Sequence, residues 1–263
     1  MQEAIYTRKI QPYIYNTCDG HRVFAMTPQV GQRSCAIIVQ ADLSNNILEN
    51  SFQQHGRACK LDFFLGNKYY RFICAHLWAK TGTAQYSNSL SDIEFLLNLH
   101  GPSNIEPVIG ADVQDKIGFY NADNFPESVG QYADGPRAAK GKLAFKFFIE
   151  KLGLYALNTL SPQENSNYTH WDVHDPNVEN SAIFPPRQID FIFGSKNLAA
   201  VSKAMAVNSD ATDTDHRAIV CKIPYPMTAE ARALKKARAK RRVYEKPRPL
   251  NWQLVDPMFN FSI

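Results

Sequence analysis

Apolar and polar positions divide the chain into short runs separated by polar turns. Runs rich in β-branched and aromatic residues predict strands at 35–43 (CAIIVQADL), 58–66, 69–79, 106–112, 154–160, 187–195 and 217–223. Two segments carry helical spacing instead. Residues 89–100 set Leu90, Ile93, Leu96 and Leu97 on one face, with Ser91 and Glu94 at capping-box spacing. Residues 138–152 group Leu143, Phe147, Phe148 and Leu152, and Gly153 stands where a helix stop is expected. Strands outnumber helices, so two packed sheets flanked by helices fit the pattern better than a doubly wound sheet. The polar, proline-bearing stretch 161–186 predicts a long surface loop, and long loops in compact domains often carry function.

Composition narrows this picture. A chain of 263 residues with 44% apolar content can bury one large core. Its five cysteines form no CxxC pair and lie mostly in or beside apolar runs, which predicts reduced core thiols and no thiolate metal site. The N-terminus MQEAIYTRKI has no apolar signal region, and no run of eighteen apolar residues follows, so the expectation is an intracellular protein with no membrane contact and no secretion.

Charge is unevenly spread. Residues 229–250 carry nine Lys/Arg against Glu230 and Glu245, so a segment of +7 follows a body of −3. In 228–242 the only large apolar residue is Leu234, so a helix there could bury no face. It reads either as a solvated basic linker or as a phosphate contact through Lys235, Lys236, Arg241 and Arg242.

Four segments end or begin an apolar run with a polar residue able to do chemistry. They are CAHLWA with His76, VIGADVQ with Asp112 and Gln114, RQIDFIF with Asp190, and DTDHRAIV with Asp215 and His216. Taken alone, each such residue is more often a capped or exposed structural one, and Asp190 could simply pair with Arg187. In this order, however, the motifs resemble the endonuclease/exonuclease/phosphatase superfamily of metal-dependent phosphodiesterases over roughly residues 1–223. DTDHRAIV resembles its closing S-D-H motif, GADVQ its G-D-x-N, RQIDFIF its R-I-D-Y-I, and MQEA its L-Q-E-T. Within the superfamily the sequence resembles endonucleases of non-LTR (LINE-like) retrotransposons, through DGPRAAKGKLAFKFFIEKLGLYALNT (134–159), THWDV (169–173) and RPLNWQLVDP (248–257).

The resemblance implies an α+β, DNase I-like four-layer sandwich of two packed mixed β-sheets flanked by helices over 1–225. A basic tail over 226–263 would lead toward a reverse transcriptase absent here. It implies Mg2+ or Mn2+ held by Glu3 with Asp215 and a DNA substrate nicked on one strand to leave a 3′-hydroxyl, with nuclear localisation. Asp112 would orient or deprotonate water, Gln114 donate to the phosphate, and His76 contact a phosphate oxygen. Asp190 would hold His216, which stabilises the pentacoordinate phosphorane. Trp171 and Arg187 would join the basic tail in touching DNA, with His170 and His174 beside Trp171 as further candidates; His21, His55 and His100 match no motif.

Three departures accompany the resemblance. Gln114 stands where the family has Asn, and a Thr precedes Asp215 where the family has Ser. The family's first strand with its catalytic Asn, and the strand that delivers the metal-binding Glu, have no counterpart before Glu3. The resemblance therefore implies an N-terminally truncated domain that folds poorly or cleaves weakly. Two other functions compete: a catalytically degenerate nucleic-acid-binding fragment, and a superfamily phosphatase or abasic-site nuclease.

Overall fold

In the central strands Phe72, Val108 and Ile192 point to one side, while Ile73, Ile109 and Phe193 point to the other, so this sheet is apolar on both faces and must be covered twice. The computed structural model describes residues 4–5, 13–26, 33–78, 82–118, 127–135, 137–162, 168–170, 186–207 and 216–224. The chain divides into two units, Met1–Pro224 and Tyr225–Ile263. The second, with Lys235, Lys236, Arg241 and Arg242, lies outside the described residues, as do Glu3, Trp171, His174 and Asp215.

In chain order the strands are β1 (Ala4–Ile5), β2 (Tyr13–Asn16), β3 (Arg22–Ala25), β4 (Arg33–Ser34), β5 (Ala36–Val39), β6 (Gln53–His55), β7 (Ala58–Leu65), β8 (Lys68–His76), β9 (Glu106–Asp112), β10 (Tyr155–Ala156), β11 (Asp190–Gly194), β12 (Lys203–Val207) and β13 (Ala218–Lys222). The helices are α1 (Thr83–Asn98), α2 (Ala139–Phe145) and α3 (Lys196–Val201). Six strands form the central sheet in the order β10-β11-β9-β8-β7-β6, with β8 and β9 parallel and the other pairs antiparallel.

One face of this sheet buries Ile73, Ala75, Ile109, Ala111, Phe191 and Phe193 beneath α1, α2 and the π-helical turn Lys146–Lys151. The opposite face receives the three-stranded sheet β2-β3-β5 through Phe24, Val39, Leu61 and Phe63, and the β12-β13 hairpin region through Ala204, Tyr70 and Val108. The layering is the expected α+β sandwich of sheets flanked by helices. Among the described residues no helix is long and apolar enough to cross a membrane.

Several elements differ from the sequence pattern for identifiable reasons. The strand expected over 35–43 ends at Val39, and Ala41–Asn46 turns into a 3-10 helix. The Ser44 hydroxyl there donates to the Gln40 carbonyl, the kind of local bond with which short polar side chains compete against a sheet ladder. The strand expected over 154–160 is only β10, because the following Leu157–Thr159 is a 3-10 turn whose side chains take up backbone groups: Thr159 Oγ1 donates to Ala156 O at 2.6 Å. Helix α1 starts six residues before the predicted position, since the fully buried Tyr86 adds another turn to the apolar face. Ser91 is consequently no cap; it donates to Ser87 O within the helix. Gly153, at φ +64°, does terminate the second helical segment. Of the cysteines, Cys35 and Cys59 are buried as expected, Cys74 and Cys221 partly so, and Cys18 is exposed. Burial pushes the Cys59 thiol well up, which keeps it protonated and unreactive.

Candidate active site

Strand register gathers the candidate residues. His76 ends β8 and is the parallel partner of Asp112 at the end of β9; Asp112 in turn faces Asp190, which opens the antiparallel β11. Three residues separated by more than a hundred positions thus form one row across three adjacent strands. Because side chains alternate, all three project to the same face as Phe72, Val108 and Ile192. His76, Asp112 and Asp190 are all buried, which makes every unpaired polar atom in the row costly.

The row is internally connected. His76 Nε2 lies 3.6 Å from Asp112 Oδ2. Gln114 closes a turn over Asp112: its backbone N–H donates to Asp112 Oδ1 at 2.9 Å and its side-chain amide donates to Oδ2. The same amide nitrogen is 3.4 Å from His76 Nε2. His216, just before β13, places Nδ1 2.9 Å from Asp190 Oδ2. Asp190 therefore pairs with the imidazole and not with Arg187. Bonding at Nδ1 aims His216 Nε2 away from the carboxylate, the orientation needed for a donor to a substrate oxygen.

The surrounding backbone is tightly held. Thr169 is fully buried, and its Oγ1 accepts from the N–H groups of both Ile189 and Asp190 at 3.0 Å. Asn158 donates to Asp190 O and accepts from Ile192 N, each at 3.1 Å, fixing the start of β11 from the other side. Tyr86 donates to Val113 O at 2.9 Å, and burial together with the nearby Asp115 and Asp112 charges pushes its phenol well up, so it remains a donor under the Asp112 turn. Asp115 accepts from the Lys140 and Gly141 N–H groups at 3.0 and 3.3 Å, tying that turn to the start of α2.

The long loop contributes His170, a candidate for DNA contact that instead packs into the site. His170 is buried and bridges Arg187 and His216; its ring meets that of His216 edge-on at 4.8 Å. Arg187 itself is half-buried, and its backbone pairs with His170 on either side. Of the other expected site residues, Glu3, Asp215, Trp171 and the four tail cations lie outside the described residues. Arg57, Asn158 and Thr169 also surround the site, although the sequence reading gave them no role. Thr169 and Asn158 lie within the segments that carry the family resemblance, whereas nothing in the Gly56-Arg57-Ala58 triplet marks Arg57.

The donor set fits a divalent cation. Ligand atoms of Asp112, Asp190 and His216 lie within 4.8 Å of one another, and Asp190 Oδ1 is buried with no hydrogen-bond partner among the described residues. With His216 Nδ1 engaged by Asp190 Oδ2, carboxylate oxygens are left as ligands, and an oxygen donor set favours a hard ion.

No family model matches the sequence, and no curated protein matches it. Solved structures do. The endonuclease domain of TRAS1, a telomere-specific non-LTR retrotransposon, aligns over 79% of this chain and 81% of its own at TM-score 0.51 and 16% identity. The 3′-5′ exonuclease NExo from Neisseria meningitidis aligns over 78% and 80% at TM-score 0.53 and 14% identity. An endonuclease/exonuclease/phosphatase family protein from Leptotrichia buccalis aligns over 80% and 74% at TM-score 0.51 and 13% identity. The layering of sheets and helices is therefore that of these structures, an α+β, DNase I-like fold.

Proposed function

We propose that this chain is a Mg2+-dependent phosphodiester hydrolase, a DNA endonuclease of the retrotransposon kind that nicks one strand and leaves a 3′-hydroxyl. The observation that carries the reading is the row His76, Asp112 and Asp190, with His216 bonded to Asp190 at its end. It offers a carboxylate to take a proton from water, and imidazole donors on either side to meet a phosphoryl group. Asp112 orients the attacking water and accepts its proton. Attack at phosphorus breaks the P–O3′ bond, and the electron pair departs with O3′. His216, held by Asp190, donates to the oxygens of the pentacoordinate phosphorane as their charge grows, and His76 contacts a further phosphate oxygen. Glu3, Asp215 and the described Asp190 would hold the ion, which when bound offsets negative charge on the phosphoryl oxygens. Arg187, Trp171 and the basic tail contact DNA.

A second reading has its own support. The Gln114 amide donates to the Asp112 carboxylate, where the reaction needs an acceptor for water. That favours a slow enzyme, or a module that binds nucleic acid without cleaving it. Nicking of supercoiled plasmid separates the two. Relaxation with Mg2+, none with EDTA, and a loss of about 100-fold or more in His216→Ala are expected of the hydrolase. A folded protein that binds DNA but yields no metal-dependent nicks would leave the binding module standing.

A further inference from the structure

The row of site residues has a fourth member. Arg57 precedes β7, one step beyond the Ala58–Ala75 pair, and its carbonyl accepts the His76 N–H at 3.1 Å, so it stands beside His76 as Asp112 does on the other flank. Its side chain returns to the same histidine. Arg57 Nε donates to the His76 carbonyl at 2.8 Å, and Nη2 meets His76 Nδ1 at hydrogen-bonding contact. The guanidinium is buried and lies over the half-buried Trp78 ring, 4.2 Å from its centroid.

This fork has one chemical consequence. A guanidinium carries only donors and does not lose its proton in a protein, so a ring nitrogen that meets it must be the acceptor. Nδ1 of His76 accepts, and the ring proton sits on Nε2. Nε2 is the nitrogen 3.6 Å from Asp112 Oδ2; the Gln114 amide nitrogen 3.4 Å away is itself a donor, so that approach is not a hydrogen bond. We propose that Arg57 is a positioning residue that clamps the backbone and ring of His76 together and fixes its Nε2–H tautomer, turning a donor toward the reacting phosphate. The assignment deepens the hydrolase reading and rests on it for its catalytic meaning, but the tautomer itself can be read without substrate. Trp78 contributes by giving the guanidinium a flat apolar support, so that both prongs reach one residue. Lysine in place of Arg57 would keep the charge and lose the fork.

The test is a long-range proton–nitrogen correlation spectrum of the full chain labelled with 15N-histidine, with His76 assigned by its absence in His76→Gln. In the parent protein Nδ1 should resonate as an unprotonated nitrogen and Nε2 as a protonated one. In Arg57→Met and Arg57→Lys both nitrogens should move toward the averaged values of exchanging tautomers, while the amide spectrum keeps its dispersion. The nicking kcat of those variants should fall roughly 10- to 100-fold, with KM moving less. A parent spectrum with Nδ1 protonated overturns the proposal whatever the variants do, so a variant that fails to fold cannot shelter it. An unchanged pattern in folded Arg57→Lys overturns it equally. If the parent nicks nothing yet shows the Nε2–H pattern, the hydrolase reading falls and the clamp stands.

Discussion

Backbone conformation at one residue bears on whether the site is well built. Among the described residues four non-glycines adopt positive φ: Asn50 at 53°, Asn67 at 66°, Asn104 at 61° and Gln114 at 63°. Three are asparagine, the residue that best tolerates this region, because its short amide bonds locally; other L residues pay about 1–2 kcal/mol there. Gln114 is the exception, and its longer side chain is also the one that folds back onto Asp112. Gln114→Asn should therefore raise stability by about 0.5–1 kcal/mol, seen as a higher urea midpoint at unchanged slope. It should also release the Asp112 carboxylate and speed nicking. A lower midpoint would show that the amide bond to Asp112 outweighs the backbone strain. From sequence the position was recognisable as a departure from the family pattern; the left-handed turn that makes the departure costly was not.

Elements in this fold are joined by a buried charge network that no sequence pattern announced. Asp62 of β7 accepts from Arg71 Nε and Nη2 and from Lys60 Nζ, each at 2.9 Å, and all three side chains are buried. Arg71 also donates to the carbonyls of Leu96, Leu97 and Leu99, at 3.1, 2.7 and 2.8 Å, and so caps the C-terminus of α1, where no glycine stop exists. Burial lowers the Lys60 ammonium below the ordinary lysine range, with the Asp62 bond working against that shift. The two cations are not equivalent. Arg71→Met should cost about 3–5 kcal/mol, because Asp62 loses its bidentate partner and the helix its cap. Lys60→Met should be nearly neutral, since Asp62 keeps the Arg71 fork and a lysine desolvation cost disappears. Denaturant unfolding of the pair checks this, and equal losses would show that Asp62 needs both charges. Strands β7 and β8 were legible because their β-branched and aromatic residues are dense enough to outweigh the interrupting Lys60, Asp62 and Arg71. The β2-β3 hairpin was missed even though Asp19-Gly20 marks its turn and Gly20 sits at φ +76°. Its strands are only four residues each, and Ile14 and Tyr15 are exposed, so the apolar pattern there is weak.

At the scale of the whole chain the question is how a body of net −3 would hold a polyanion. The strand-end motifs were readable because each sets a polar residue at the end of an apolar run; that register lays His76, Asp112 and Asp190 side by side emerges only from the strand pairing. Their supports were not readable, since Arg57, Thr169 and Asn158 each act through a pair of long-range hydrogen bonds with no periodic signature. The charge partition is legible only in sequence: nine cations in 229–250 against two glutamates make a segment of +7. A single polyanion can be attracted to that segment while the acidic row engages one phosphate at a time, which separates affinity from chemistry. Replacing Lys235, Lys236, Arg241 and Arg242 with alanine should then weaken duplex DNA binding. If each contacts a phosphate, the slope of log affinity against log salt should flatten by about 3 to 4, from roughly 0.9 per contact. Cleavage of DNA already bound, measured in single turnovers at saturating protein, should stay within about twofold of the parent. His216→Ala should do the opposite, keeping the salt slope and losing cleavage. A salt slope unchanged by the four alanines would make the segment a linker, and affinity would then have to come from Arg187, Trp171 and the neighbouring loop.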